Sequence, residues 1–417
     1  MQPRRSRTRG AAFGMAVVAL TAGLSTLTIG ANPAAASPAP ITIAYVTSVT
    51  GPGGPEDGTS PAGFEARLQL QNAKGGVNGH KLVPLVIDDQ TSPSAIATAV
   101  QEADSKAFAI VSQSPLFFLA AKYPQQQGIP VTGSYSDGPE WGEQPYTNMF
   151  SSDEGSLNPT LPVNTLEGKL LRMFGGTEAG IYGYSISPSS TREANAVAQS
   201  FTHAGGKVAV LNTSLPFGNV NFTTQAIIAK QNHINAIYPT MEASSNFALA
   251  TALKQAGVGM KAAIFSVGYD PTALTSSAWP DLQGDYFLSL FRPFSIPDAG
   301  TRQMAAALQK YQHFSKSQFP TPFQYESWAG ADLMIKGLQM AGGNPTRAKV
   351  IRSLRSIKSY TANGLLPNPI DYTSIFGHDP AKTCVWVLKA QQGGFVPVSS
   401  QPVCGSDIPG TSTAGDS

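Results

Sequence analysis

Charge is scarce in this 417-residue chain. Its 28 Lys and Arg and 26 Asp and Glu amount to 13% of residues, with a net charge of +2. No basic stretch marks a nucleic-acid footprint, and no acidic block marks a solvating tail. Histidine is scarcer. His80, His203, His233, His313 and His378 stand at no metal-ligand spacing. Catalytic signatures are missing too. There is no G-x-S-x-G elbow, and Gly133-Ser134-Tyr135-Ser136 lacks that spacing. No Walker-type loop or G-x-G-x-x-G follows a strand. The expectation is a protein that is not an enzyme and uses no cofactor and no metal.

Cysteine is limited to Cys384 and Cys404. In an exported chain so close a pair favours a disulfide, with two free thiols or half a metal site as the alternatives. The bridge would close a loop of about 21 residues, for roughly 3 kcal/mol in the chain-entropy model.

The one long apolar run lies at the start. Arg4, Arg5, Arg7 and Arg9 precede an apolar stretch from Ala11 to about Ile29, and Ala34-Ala35-Ala36 offers a cleavage site before Ser37. Residues 1–36 therefore read as a signal peptide, with an uncleaved anchor as the alternative. No cysteine stands there to carry a lipid. The expected location is outside the cytoplasm: the periplasm, the cell envelope or the medium.

The remainder alternates apolar runs with helical patterns. Ile41–Val46, Leu82–Ile87, Phe108–Val111 and Ile129–Val131 read as strands. Ser60-Pro61, Ser92-Pro93 and Ser114-Pro115 each pair a capping residue with Pro at a helix start. The pattern restarts with strands at Ala179–Tyr184, Lys207–Leu211, Ala236–Tyr238 and Ala262–Val267. Continuous apolar strands separated by helices imply parallel sheets covered on both faces. The fold class is α/β, with two doubly wound parallel-sheet lobes joined by crossover hinge strands. The expected division places 41–153 plus 291–360 in the N-terminal lobe and 154–290 plus 361–404 in the C-terminal lobe. Residues 405–417 read as a flexible tail.

Several stretches resemble a known family. They are Thr50-Gly51-Pro52 after the first strand, then GFEARLQLQNAKGGVNGHKLVPLVIDDQ, QQGIPVTGSYS and LKQAGVGMKAAIFSVG. The chain resembles the type I periplasmic binding proteins, in the leucine/isoleucine/valine-binding branch, from Ile41 to roughly Ala341. The resemblance implies a hinged, monomeric binder of a small-molecule solute that delivers it to an ABC permease in the membrane. A sensor reporting to a membrane receptor is the alternative role.

Ligands in such sheets lie beyond the carboxyl ends of the strands. The resemblance places candidates there: Glu56; Gln113, Leu116 and Phe117; Ser134, Tyr135 and Ser136; Ser187; Glu242; Tyr269 and Asp270. In the amino-acid binders, hydroxyls and backbone N–H groups at the position of Ser134 and Ser136 anchor a carboxylate. An acid such as Glu242 or Asp270 would meet the ammonium. Leu116, Phe117 and Tyr135 would form an apolar wall. The chain departs from the family where Pro115-Leu116-Phe117 replaces small hydroxyl residues and where Asp270 is displaced by about three positions. With Phe118 and Trp141 nearby, a bulkier aromatic or apolar solute is the second expectation.

Overall fold

The computed structural model describes Ala11, Gly14 and residues 38–134, 139–141, 144–153, 162–373 and 383–412. The signal-peptide reading falls almost wholly outside these residues. The described elements begin with β1 (Ile41–Thr47), α1 (Gly54–Asp57), α2 (Pro61–Ala73), β2 (Leu82–Asp88), α3 (Ala95–Lys106) and β3 (Ala109–Ser112). It continues through α4 (Phe117–Ala120), α5 (Lys122–Gln127), β4 (Val131–Gly133) and β5 (Met149–Ser151). These strands form one five-stranded sheet in the order β2-β1-β3-β4-β5, and every pairing is parallel.

A second series follows: α6 (Leu166–Met173), β6 (Glu178–Tyr184), α7 (Pro188–His203), β7 (Lys207–Leu215), α8 (Thr223–Gln231) and β8 (Ala236–Thr240). Then come α9 (Ala243–Gln255), β9 (Ala262–Phe265) and β10 (Tyr286–Ser289). The chain returns to the first sheet with α10 (Ala299–Tyr311), α11 (Pro322–Ala341) and α12 (Arg347–Arg355). It ends in β11 (Cys384–Gln391), β12 (Gly394–Pro397) and β13 (Val403–Cys404). The second sheet runs β12-β11-β10-β9-β8-β6-β7, with β13 also on β11. Its series from β7 to β10 is parallel, while β11, β12 and β13 are antiparallel.

Each sheet buries both faces, as its near-continuous apolar strands require. One face of the first sheet packs Ile43, Tyr45, Ala109 and Val111 against α2, α10 and α11. Its other face packs Ala44, Val46, Ile110 and Val131 against α3 and α4. The second sheet divides likewise between Ile237, Phe265 and Phe287 on one side and Ile181, Tyr238 and Ile264 on the other.

Two expected boundaries move. Ala362, Leu365, Leu366, Ile370 and Tyr372 belong to the same core as Ile43 and Trp328, so 361–372 packs with the first sheet and not the second. Their apolar side chains complete the cover that α10 and α11 leave unfinished. Residues 405–411, expected to be a flexible tail, are tied down. Ile408 is buried and its N–H donates to Val163, and Thr411 accepts from the Val163 N–H. Cys384 and Cys404 are bonded, with sulfurs 2.01 Å apart, which fastens β13 to β11.

Candidate functional site

The first-sheet tips are built on a backbone approach that only glycine allows. Gly133, at the end of β4, has φ +152°, and a Cβ there would strike the Ser112 carbonyl oxygen. The close approach lets Ser134 N–H donate to Ser112 O at 3.2 Å. Ser134 is buried, and its hydroxyl donates to the Asp153 carboxylate. Ser151 donates to the same carboxylate at 3.2 Å. Beside them Gln113, 0% exposed, follows β3 and donates its amide N–H to Glu326 in the first turns of α11. The Gln113 Oε1 has no donor. Burial holds the Glu326 carboxyl well above the usual range, Asp153 adds repulsion, and the Gln113 bond opposes both.

The second-sheet tips use their acids differently. Asp270 Oδ1 accepts from Thr272 N–H at 2.7 Å and from its hydroxyl at 2.6 Å, which caps the short helix Pro271–Thr275. Ser187 caps α7 by accepting from Ser190 N–H at 3.2 Å. Glu242 Oε1 accepts from Ser245 at 2.6 Å and Ser244 at 3.3 Å, while its Oε2 has no partner. Burial raises the Glu242 carboxyl against those hydroxyl bonds.

The two sets of tips meet at Glu56. Its Oε1 accepts from Ala243 N–H, the first residue of α9, at 2.9 Å. Glu242, the residue before that helix, makes no side-chain cap, so an acid from the other sheet fills the position. Burial pushes the Glu56 carboxyl up to about 7 against the Ala243 bond, with Glu242 and Asp270 adding repulsion. Glu56, Glu242 and Asp270 therefore converge across the gap. A second contact joins the sheets where Tyr269 stacks on Phe319, ring centroids 5.0 Å apart.

Not every expected residue reaches this place. Phe117 is 0% exposed and stacks on Trp141 at 5.7 Å inside the first-sheet core. Neither ring lines an open wall, because both seal the space between the strands and α3. Phe118 is left half-buried, and Leu116 is half-buried at the start of α4. Tyr269 is buried in the second-sheet core against Phe319 and Phe395. Tyr135 and Ser136 lie outside the described residues. Two residues absent from the sequence reading are central: Asp153, just past β5, and Glu326. Glu326 lies in the helical run Pro322–Ala341, which holds a second acid, Asp332, paired with Arg67.

Two α/β sheets whose strand tips face each other, bridged by a side chain from one to a helix of the other, define a two-lobed binding protein. The chain matches the family model for periplasmic binding proteins over residues 40–395 and belongs to that family. It is a solute-binding protein of the type I fold. No curated protein matches its sequence. Among solved structures, it is similar to a fatty acid ABC transporter substrate-binding protein from Thermomonospora curvata. Identity there is 16% over 87% of this chain and 92% of that one, with TM-score 0.71. It is also similar to a branched chain amino acid ABC transporter protein from Thermus thermophilus with bound valine. The figures are 16% identity, 88% and 97% coverage, and TM-score 0.71. A third is an R. palustris solute-binding protein in complex with benzoate, at 14% identity, 89% and 99% coverage, and TM-score 0.68.

Proposed function

We propose that this protein captures a small solute between the strand tips of its two lobes, outside the cytoplasm, and delivers it to an ABC importer. The observation that carries the reading is the Glu56–Ala243 hydrogen bond. It shows the tips within reach of each other, so a solute seated among Gln113, Ser134, Glu326, Glu56 and Glu242 would touch both lobes. Binding then favours the closed arrangement by its differential contacts, biasing a hinge equilibrium that already exists. Export rests on the Arg-led apolar segment at residues 1–36, and the importer on the family.

Proteins of similar fold serve a fatty acid transporter or hold benzoate or valine, so the family frame accepts varied solutes. Phe117 and Trp141 are buried in the first-sheet core, while Phe118 is half-buried, and a bulkier aromatic or apolar solute remains the second reading. A thermal-shift screen over amino acids, amides, amines, aromatic acids and fatty acids tests the proposal, followed by small-angle scattering on any hit. A ligand that raises the melting midpoint and lowers the radius of gyration is expected. Failure of every solute in the screen would sink the reading.

A further inference from the structure

The sequence reading assigned Ser134 to a carboxylate of the solute. The structure reverses the chemistry of that position. Ser134 donates its hydroxyl to Asp153, and Gln113 donates its amide N–H to Glu326. The backbone donors of the same tips are engaged as well. Gln113 N–H goes to Val46 O, Ser114 N–H to Ser112 Oγ and Ser134 N–H to Ser112 O. Across the gap, Ala243 N–H at the start of α9 is already held by Glu56. Among the described residues, the donors left at these tips are the second amide N–H of Gln113 and the hydroxyl of Ser114, which accepts from Leu116 N–H.

Acceptors remain too. Gln113 is wholly buried and its Oε1 has no donor. Glu326 meets no Lys, Arg or His within ion-pair distance among the described residues. Glu326 is half-buried. A buried carboxylate beside Asp153 with no counter-charge is costly. An unfilled amide oxygen next to it is a second cost of the same sign. A group that brings several N–H donors and a positive charge removes both.

We infer that the solute is a cationic amine whose ammonium group sits between the Glu326 carboxylate and Gln113 Oε1 at the tips of the first sheet. This rests on the solute-binding reading above. An ammonium carries three donors and no acceptor, which matches the Glu326 carboxylate and Gln113 Oε1 as acceptors. Asp153 adds negative potential from one side. Glu56, Glu242 and Asp270 make the opposite wall acidic too. Fatty or aromatic acids add a negative charge to a site already rich in them.

Calorimetry on the full-length protein as exported tests this with matched probes. The amines are butylamine, putrescine, cadaverine and 2-phenylethylamine; the comparison set is valine, octanoate, benzoate and calcium chloride. At least one amine is expected to bind saturably and the comparison set not to. Glu326→Gln should weaken that amine at least tenfold and Gln113→Leu several-fold, with circular dichroism unchanged in both. If one variant does not fold, the other decides. Binding of a carboxylate with the amines silent overturns the inference and leaves the solute-binding reading standing. So does amine binding indifferent to both variants, or calcium binding at the same site. Silence of all four amines also overturns it, while the wider screen judges the solute-binding reading separately.

Discussion

The tips of the two sheets are made from the same parts and put to different uses. In the second lobe the polar residues after the strands serve their own chain: Asp270 caps a short helix, Ser187 caps α7, and Glu242 holds Ser244 and Ser245. In the first lobe they serve distant segments. Ser134 reaches Asp153, Gln113 reaches Glu326 some 213 positions away, and Glu56 crosses to α9. The Asp270 and Ser187 caps are made within the second lobe, although Glu242 Oε2 has no partner. In the first lobe Gln113 Oε1 has no donor, and Glu326 has no cation within ion-pair distance among the described residues. If the proposed cationic solute is correct, the difference places recognition chiefly in the first lobe, with Glu56 reaching across to α9 of the second.

The largest effect that bears on this contrast should come from Phe117. If its ring is core, Phe117→Ala costs about 3–5 kcal/mol of stability, as for other fully buried aromatic truncations. Urea denaturation would show the loss, with solute affinity unchanged at temperatures where the variant is folded. Lost affinity at full stability would return Phe117 to the site and blur the contrast between lobes.

Acidity is the next lever. Glu56, Glu167 and Glu193 are raised by burial from 4.5 to about 7, and Asp285 from 3.8 to about 8. Each carboxyl stays protonated in the folded chain over a range where the unfolded chain has released its proton. The folded state therefore holds more protons across that window, and stability falls as pH rises through it. The melting midpoint is expected to be several degrees higher near pH 5 than near pH 8. A midpoint that rises with pH would show that these carboxyls are ionised when folded.

Glu56→Ala removes the one side-chain hydrogen bond described between the tips. Affinity should fall roughly three- to tenfold, in keeping with one charge-assisted hydrogen bond partly open to water. Scattering on the solute-free protein should show a slightly larger radius of gyration. Unaltered affinity and size would remove Glu56 from closure.

The smallest effect belongs to Asp270. Asp270→Ala should cost about 1 kcal/mol through the lost helix cap, and Asp270→Asn should recover most of it. Calorimetry should find affinity within twofold of the parent. A tenfold loss in the Asn variant would mean that the charge, not the cap, matters, and the second lobe would then share recognition.

Much of this was readable along the chain. Apolar runs such as Ile41–Val46 and Ala236–Tyr238 predict parallel strands, and these became β1 and β8. The rule that ligands lie past strand ends points to Gln113, Ser134 and Glu242, which follow β3, β4 and β8 closely, and to Glu56 in α1 after β1. Phe117 was misplaced because adjacent aromatics, Phe117 and Phe118, carry no signal for which one turns inward. The segment 361–372 was misplaced because a short irregular stretch shows no periodicity, and only the space beside α10 and α11 selects its lobe.

The order of β-strands and α-helices and the pairing of the only two cysteines follow from local pattern and count, which need no knowledge of distant contacts. The chemical sense of the site did not. Whether a serine hydroxyl is offered to a solute or committed to an aspartate depends on which carboxylate folding brings beside it. Glu326, one acid in a helical run more than 200 positions from Gln113, becomes part of the strand tips only when α11 packs on the first sheet.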